Sequence, residues 1–135
     1  WLQERVQDAE ARYALLVTSV LKEDPDRLPE LEKLAFQFGK ERALDASSDA
    51  SDAYRKMDDS LLNGMPCDRV NVITEQEPER TSWVQEEDIH APFWIAVDGD
   101  PTVYYRLRTK IMEGMLFGTE LHLDCSEEGH YSLYK

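Results

Sequence analysis

His122 and Asp124 are separated by a single residue, so on an extended strand both side chains project to one side, and His130 follows across a short turn. A His/Asp/His set of this kind can hold a divalent metal. The same residues also make an ordinary solvated hairpin face opposite Leu121, Leu123 and Cys125, and no metal is expected there. Asp98 and Asp100 form a two-carboxylate pair that resembles a cation site, but with Pro101 next the pair reads as a helix cap. His90 lies beside the acidic run Glu86, Glu87 and Asp88, where a general base with a raised pKa or a metal ligand is conceivable. A surface loop is the preferred placement. Cys67 follows Met65-Pro66 and would need a nearby base and electropositive surroundings to act as a nucleophile, whereas Asp68 pushes the other way. The chain contains no GxSxG, no glycine-rich phosphate loop, no HExxH and no EF-hand spacing. No catalytic residue and no cofactor are therefore assigned. Cys67 and Cys125 lack CxxC spacing and read as unpaired thiols, with Cys125 buried on the strand face it shares with Leu121 and Leu123.

Aromatic residues crowd the C-terminal half, and most must serve the core. Trp83, Trp94, Tyr104 and Phe117 are the candidates to line a pocket for an apolar or planar ligand.

The elements that would position these groups are legible from hydrophobic spacing. Leu2, Val6, Ala9, Tyr13, Leu16, Val17 and Val20 form an apolar stripe on a helix over residues 1–23, with Glu4, Arg5, Asp8, Glu10 and Arg12 on its wet side. Asp24-Pro25-Asp26 stops it. Leu28, Leu31, Leu34, Ala35 and Phe38 mark a second helix ending near Arg42–Asp45, and a third runs from Ala50 to Leu62, stopped at Asn63-Gly64. One uninterrupted helix from Leu28 to Leu62 is the alternative. Arg69–Thr74 and Arg80–Gln85 read as strands around the turn at Gln76-Glu77-Pro78-Glu79, and Phe93–Val97 is an apolar run too short to classify by period. Asp100 as N-cap and Pro101 in the first turn open a helix carrying Val103, Tyr104, Leu107, Ile111 and Met115. Arg106, Arg108, Lys110 and Glu113 fall on its other faces. Leu121–Cys125 and His130–Tyr134 then alternate around Ser126-Glu127-Glu128-Gly129 as a terminal hairpin. The fold class is α+β: N-terminal helices, then a four-stranded antiparallel sheet with a helix between its two hairpins and helices on one side.

With 135 residues, 41% of them hydrophobic, the chain suits a single domain spanning residues 1–135. Its formal net charge of −13 repels phosphate backbones and anionic lipid, which disfavours nucleic-acid and membrane partners. The absence of a long apolar run or a signal-like start points to a soluble, cytoplasmic protein.

The order of elements is similar to that of the superfamily joining the four-vinyl-reductase-like ligand-binding domains with the small subunits of the TRAPP vesicle-tethering complex. The resemblance rests on Tyr13-Ala14-Leu15-Leu16-Val17-Thr18 in the first helix and on Leu31 through Phe38-Gly39-Lys40-Glu41-Arg42 in the second. It continues in a Gly114-containing helix followed by a terminal hairpin with Cys125 and Gly129. It implies an α+β dimer whose helices enclose an apolar pocket or meet a partner, and it transfers no catalytic residue. The ligand-binding branch often carries a second cysteine in the final strand, where this chain has Tyr131, Leu133 and Tyr134. That departure argues against a cysteine-based metal site.

The expected function is thus a non-catalytic domain that binds an apolar small ligand or a protein partner, as a homodimer through its helical layer. An acidic inhibitor or immunity-type protein for a basic partner is the alternative, suggested by Glu75, Glu77, Glu79, Glu86, Glu87 and Asp88. A small hydrolase or lyase using His90, His122 or Cys67 is a third reading.

Overall fold

One helix, Pro101–Met115, contributes buried side chains to both hydrophobic clusters of the described residues. The computed structural model describes residues 2–61, 71–86, 88–127 and 129–135. In chain order the elements are α1 (Leu2–Glu23), a single 3-10 turn, α2 (Leu28–Glu41), α3 (Ala50–Ser60), β1 (Asn71–Gln76) and β2 (Arg80–Gln85). There follow α4 (Ala91–Ala96), α5 (Pro101–Met115), β3 (His122–Glu127) and β4 (His130–Tyr134). The chain has the α+β architecture expected, with N-terminal helices and a four-stranded antiparallel sheet.

Local chemistry sets the helix starts. Asp100 accepts from the Thr102 N–H at 2.9 Å, with Pro101 behind it, and Asp49 accepts from the Asp52 N–H at 2.8 Å. Because α2 ends at Glu41 and α3 opens at Ala50, the alternative of one helix from Leu28 to Leu62 is overturned: the Asp49 cap starts a new helix. The short apolar run 93–97 falls largely in the helix α4. The expected stop at Asn63-Gly64, the strand start at Arg69 and Cys67 lie outside the described residues.

The sheet order is β1-β2-β4-β3, so the C-terminal strand lies inside and β1 and β3 form the edges. Thr81 opposite Leu133 and Trp83 opposite Tyr131 share the inner face, where the Trp83 and Tyr131 rings stack at 5.6 Å. On the other face the Ser82 and Ser132 hydroxyls meet at 2.8 Å. The inner face packs with α3 and the end of α5 into one core cluster around Met57, Trp83, Met115 and Leu133. A second cluster joins Ala14 and Val17 of α1, Trp94 of α4 and Val103, Tyr104 and Leu107 of α5, with Leu28, Leu31 and Ala35 of α2 against it. Each large side chain buried this way contributes about 1.5–3 kcal/mol.

Helices α2 and α5 cross at a distance only glycine permits. A Cβ on Gly39 would lie 2.0 Å from the Ile111 carbonyl oxygen, and one on Gly114 would lie 2.2 Å from that of Phe36. The two glycines thus let each helix backbone sit in the other's groove.

Three assignments of faces need correction. On α1 the inward stripe contains Ala14 and Val17, while Leu16 is 64% exposed. Glu10, expected on the wet side, is 3% exposed and points inward. Arg108, expected on an outer face of α5, is 6% exposed. Both charged groups are buried because buried partners from distant elements meet them there.

Candidate functional site

Between β2 and α4 the chain makes one short crossing, residues 86–90, that brings two titratable side chains against α5. His90 was expected in a surface loop; it is instead fully buried, with its Nδ1 paired to Glu10 of α1. Its ring stacks on Tyr104 at 4.2 Å between centroids, and its Nε2 lies 3.3 Å from the Tyr104 hydroxyl. Burial pushes the Tyr104 phenol well above its ordinary value, with Arg108 pulling the other way and Glu10 adding to the rise. An acid and an imidazole separated by 80 positions thus satisfy each other inside the protein, as buried polar groups must.

Two residues earlier, Asp88 turns the crossing into α4. Its Oδ1 accepts from the backbone N–H of His90 at 3.1 Å and of Ala91 at 2.9 Å, and from the Tyr105 hydroxyl. Burial alone would raise its pKa, but these hydrogen bonds to the ionised form outweigh it and hold the carboxyl below its usual value. The Tyr105 phenol is raised, first by burial and then by the hydrogen bond to Asp88.

Arg108 anchors the other end of the same network. Its Nη2 donates to Gln85 Oε1 at 2.8 Å and to the Tyr131 hydroxyl at 3.1 Å, and Gln85 Nε2 donates to the Tyr105 hydroxyl at 2.8 Å. The guanidinium lies 4.9 Å from the Tyr105 ring centroid, 5.6 Å from that of Tyr131 and 5.8 Å from that of Tyr104. Since arginine can only donate and an ionised aspartate can only accept, every bond between them has a fixed direction: Arg108 to Gln85, Gln85 to Tyr105, Tyr105 to Asp88. Tyr131 accepts from Arg108, so its own hydrogen is directed elsewhere.

Above this network lies an open cleft of about 830 Å³. One wall is the outer face of α5, where Thr102, Tyr105, Arg106, Thr109, Lys110 and Glu113 recur at helical spacing. Glu32 of α2 faces it, and the end of the sheet supplies Gln85, Cys125, Gly129 and Tyr131, with Glu86 and Asp88 from the crossing. Arg106 lies 2.8 Å from Glu32, and Lys110 lies 3.2 Å from Glu113. Cys125 was expected to be buried; it is exposed, and the reason is a bulge. Between Asp124 and Glu127 strand β3 carries one extra residue, which breaks the alternation that would have placed Cys125 with Leu121. Burial raises the thiol pKa, Asp124 adds to the rise, and Arg108 opposes it, so the thiol is not activated.

The sequence candidates do not converge on this cleft. Trp94 and Tyr104 share the buried cluster against α1, Trp83 belongs to the core under the sheet, and Phe117 is exposed, edge-on to Phe36 with Lys40 over its ring. None of the four lines the cleft. His122 and His130 are exposed on separate strands of the terminal hairpin, and among the described residues no group of three His, Cys, Asp or Glu is placed to hold a metal. Asp100 is the α5 cap, and Asp98 pairs with Lys22 at 3.2 Å. Reading the sequence missed Glu10 and Arg108 because each is polar, although each keeps helical step with buried apolar neighbours: Glu10 with Ala14 and Val17, Arg108 with Tyr104 and Met112. That spacing was the available signal. No described helix is long and apolar enough to cross a membrane. Comparison with protein-family models, with curated proteins and with solved structures finds no match to this chain.

Proposed function

We propose that this chain is a binding domain and that its recognition site is the cleft between α5 and the end of the sheet. The observation that carries this reading is the fixed network beneath the cleft: Arg108, Gln85, Tyr105 and Asp88 hold one another in a single hydrogen-bond direction, so the polar groups at the surface are held in place before anything binds. A volume of about 830 Å³ falls within the range of small-ligand and peptide clefts. Charged and hydroxyl side chains line the cleft, and none of Trp83, Trp94, Tyr104 and Phe117 does, so an apolar ligand enclosed by those four is the weaker form of the proposal. The binding reading is favoured over a hydrolase or lyase because His90, the best-placed base, is fully buried against Glu10 and away from the cleft. Nuclear magnetic resonance of amide-labelled protein against a panel of small polar molecules and short peptides tests it. Shifts gathered at Thr102, Tyr105, Thr109 and Gly129 are the expected result; shifts gathered around Trp94 and Tyr104 would refute it.

Self-association through the helical layer is a second reading, favoured by Leu15, Leu16, Leu34 and Phe38 being 45–64% exposed on α1 and α2. A sedimentation mass of one chain at micromolar concentration would remove it.

A further inference from the structure

We propose that the occupant of this cleft is a lysine- or arginine-bearing peptide segment of a partner protein, an inference that rests on the cleft being the binding site. Two of its carboxylates, Glu32 and Glu113, are matched by Arg106 and Lys110 at 2.8 and 3.2 Å. Glu86 and Asp88 line the same cleft, with no third lysine or arginine among the described residues of its walls. Arg108, under the floor, is a third cation, bonded to Gln85 and Tyr131 and set against three tyrosine rings, so the four carboxylates exceed the cations around the cleft by one charge. The opening therefore carries a net negative charge, with Glu86 exposed at its rim, and a carboxylate placed there suits an ammonium or guanidinium group.

A simple amine would use only part of what the cleft offers. Tyr131 lines the cleft and its hydroxyl accepts from Arg108, so a ligand group that meets it must be an acceptor, and a peptide supplies carbonyl oxygens at regular spacing beside its cationic side chains. The chain's formal charge of −13 draws basic partners over a long range and repels nucleic acid, which selects a protein segment as the source of the cation.

The test titrates the amide-labelled full chain with capped oligolysine and oligoarginine, and in parallel with capped oligoglutamate of equal length. Expected are saturable shifts at Tyr105, Glu86 and Gly129 with the basic peptides alone, weakening as salt rises. The double variant Glu86→Lys with Glu113→Lys alters only partly or fully exposed side chains and should bind about tenfold more weakly, with its circular dichroism unchanged. Equal shifts at those residues with oligoglutamate would overturn the basic-peptide inference while leaving the cleft as the site. Basic-peptide shifts spread over the other acidic surfaces and absent from the cleft would overturn the cleft reading itself, as would no shift with any peptide.

Discussion

Replacing Gly114 by alanine adds one methyl group to the most crowded helix crossing in the molecule. The new Cβ would sit 2.2 Å from the Phe36 carbonyl oxygen and 2.8 Å from the Lys40 nitrogen, both backbone atoms of α2. Contacts under 3.0 Å are essentially never adopted by a Cβ, so the crossing must open by about 0.8 Å, and no flexible side chain can yield in its place. A gap of that size forfeits about a quarter to a half of the dispersion energy of the facing atoms, and overpacking of this kind costs about 1–3 kcal/mol. Alanine's better helix propensity offsets about 1 kcal/mol of this. With backbone on both sides of the clash the upper end applies, and Gly114→Ala should lose about 2 kcal/mol, read as a lower urea midpoint with an unchanged slope. Opening the crossing also moves Glu32 away from Arg106, so the mouth of the cleft changes with it. A Gly114→Ala protein as stable as the parent, or more stable by the propensity difference, would refute the close approach of α2 and α5.

Two further outcomes follow from the buried polar groups. Glu10→Ala removes the acid that His90 Nδ1 meets at a fully buried site and should cost about 1–3 kcal/mol, whereas Glu10→Leu combined with His90→Phe should recover part of that loss. A double-mutant cycle by urea unfolding measures the coupling, and additive losses would contradict the pairing. Burial pushes the Tyr13 phenol from 10.0 up to about 12. The folded state therefore favours the neutral phenol: its contribution is complete below pH 10.0 and is lost as pH rises towards 12, about 2–3 kcal/mol in all. Tyr13→Phe, which keeps the edge-on contact with Trp94 at 5.7 Å, should flatten that alkaline limb of the stability curve.

The sequence by itself determined the features that depend on neighbours along the chain. Asp100 and Pro101 start α5, Asp49 starts α3, and the alternation around Gly129 makes the terminal hairpin, because caps and turns are satisfied within a few residues. The α+β order follows from where those signals fall. What only the tertiary structure decided is where polar residues find their partners. Glu10 and His90 are separated by 80 positions, and the helical step that Glu10 shares with Ala14 and Val17 supplies no partner for an acid; the imidazole at the start of α4 lets it be buried. Arg108 looks like Arg106 until Gln85 and Tyr131 meet it from two strands. The extra residue in β3 that turns Cys125 into the cleft depends on pairing with β4, and Glu32 reaches the cleft from α2, the helix that Gly39 and Gly114 let approach α5. A charge can be buried only where a partner offsets its lost hydration, and that partner is supplied by the packing of distant segments, which hydrophobic spacing along one element does not encode.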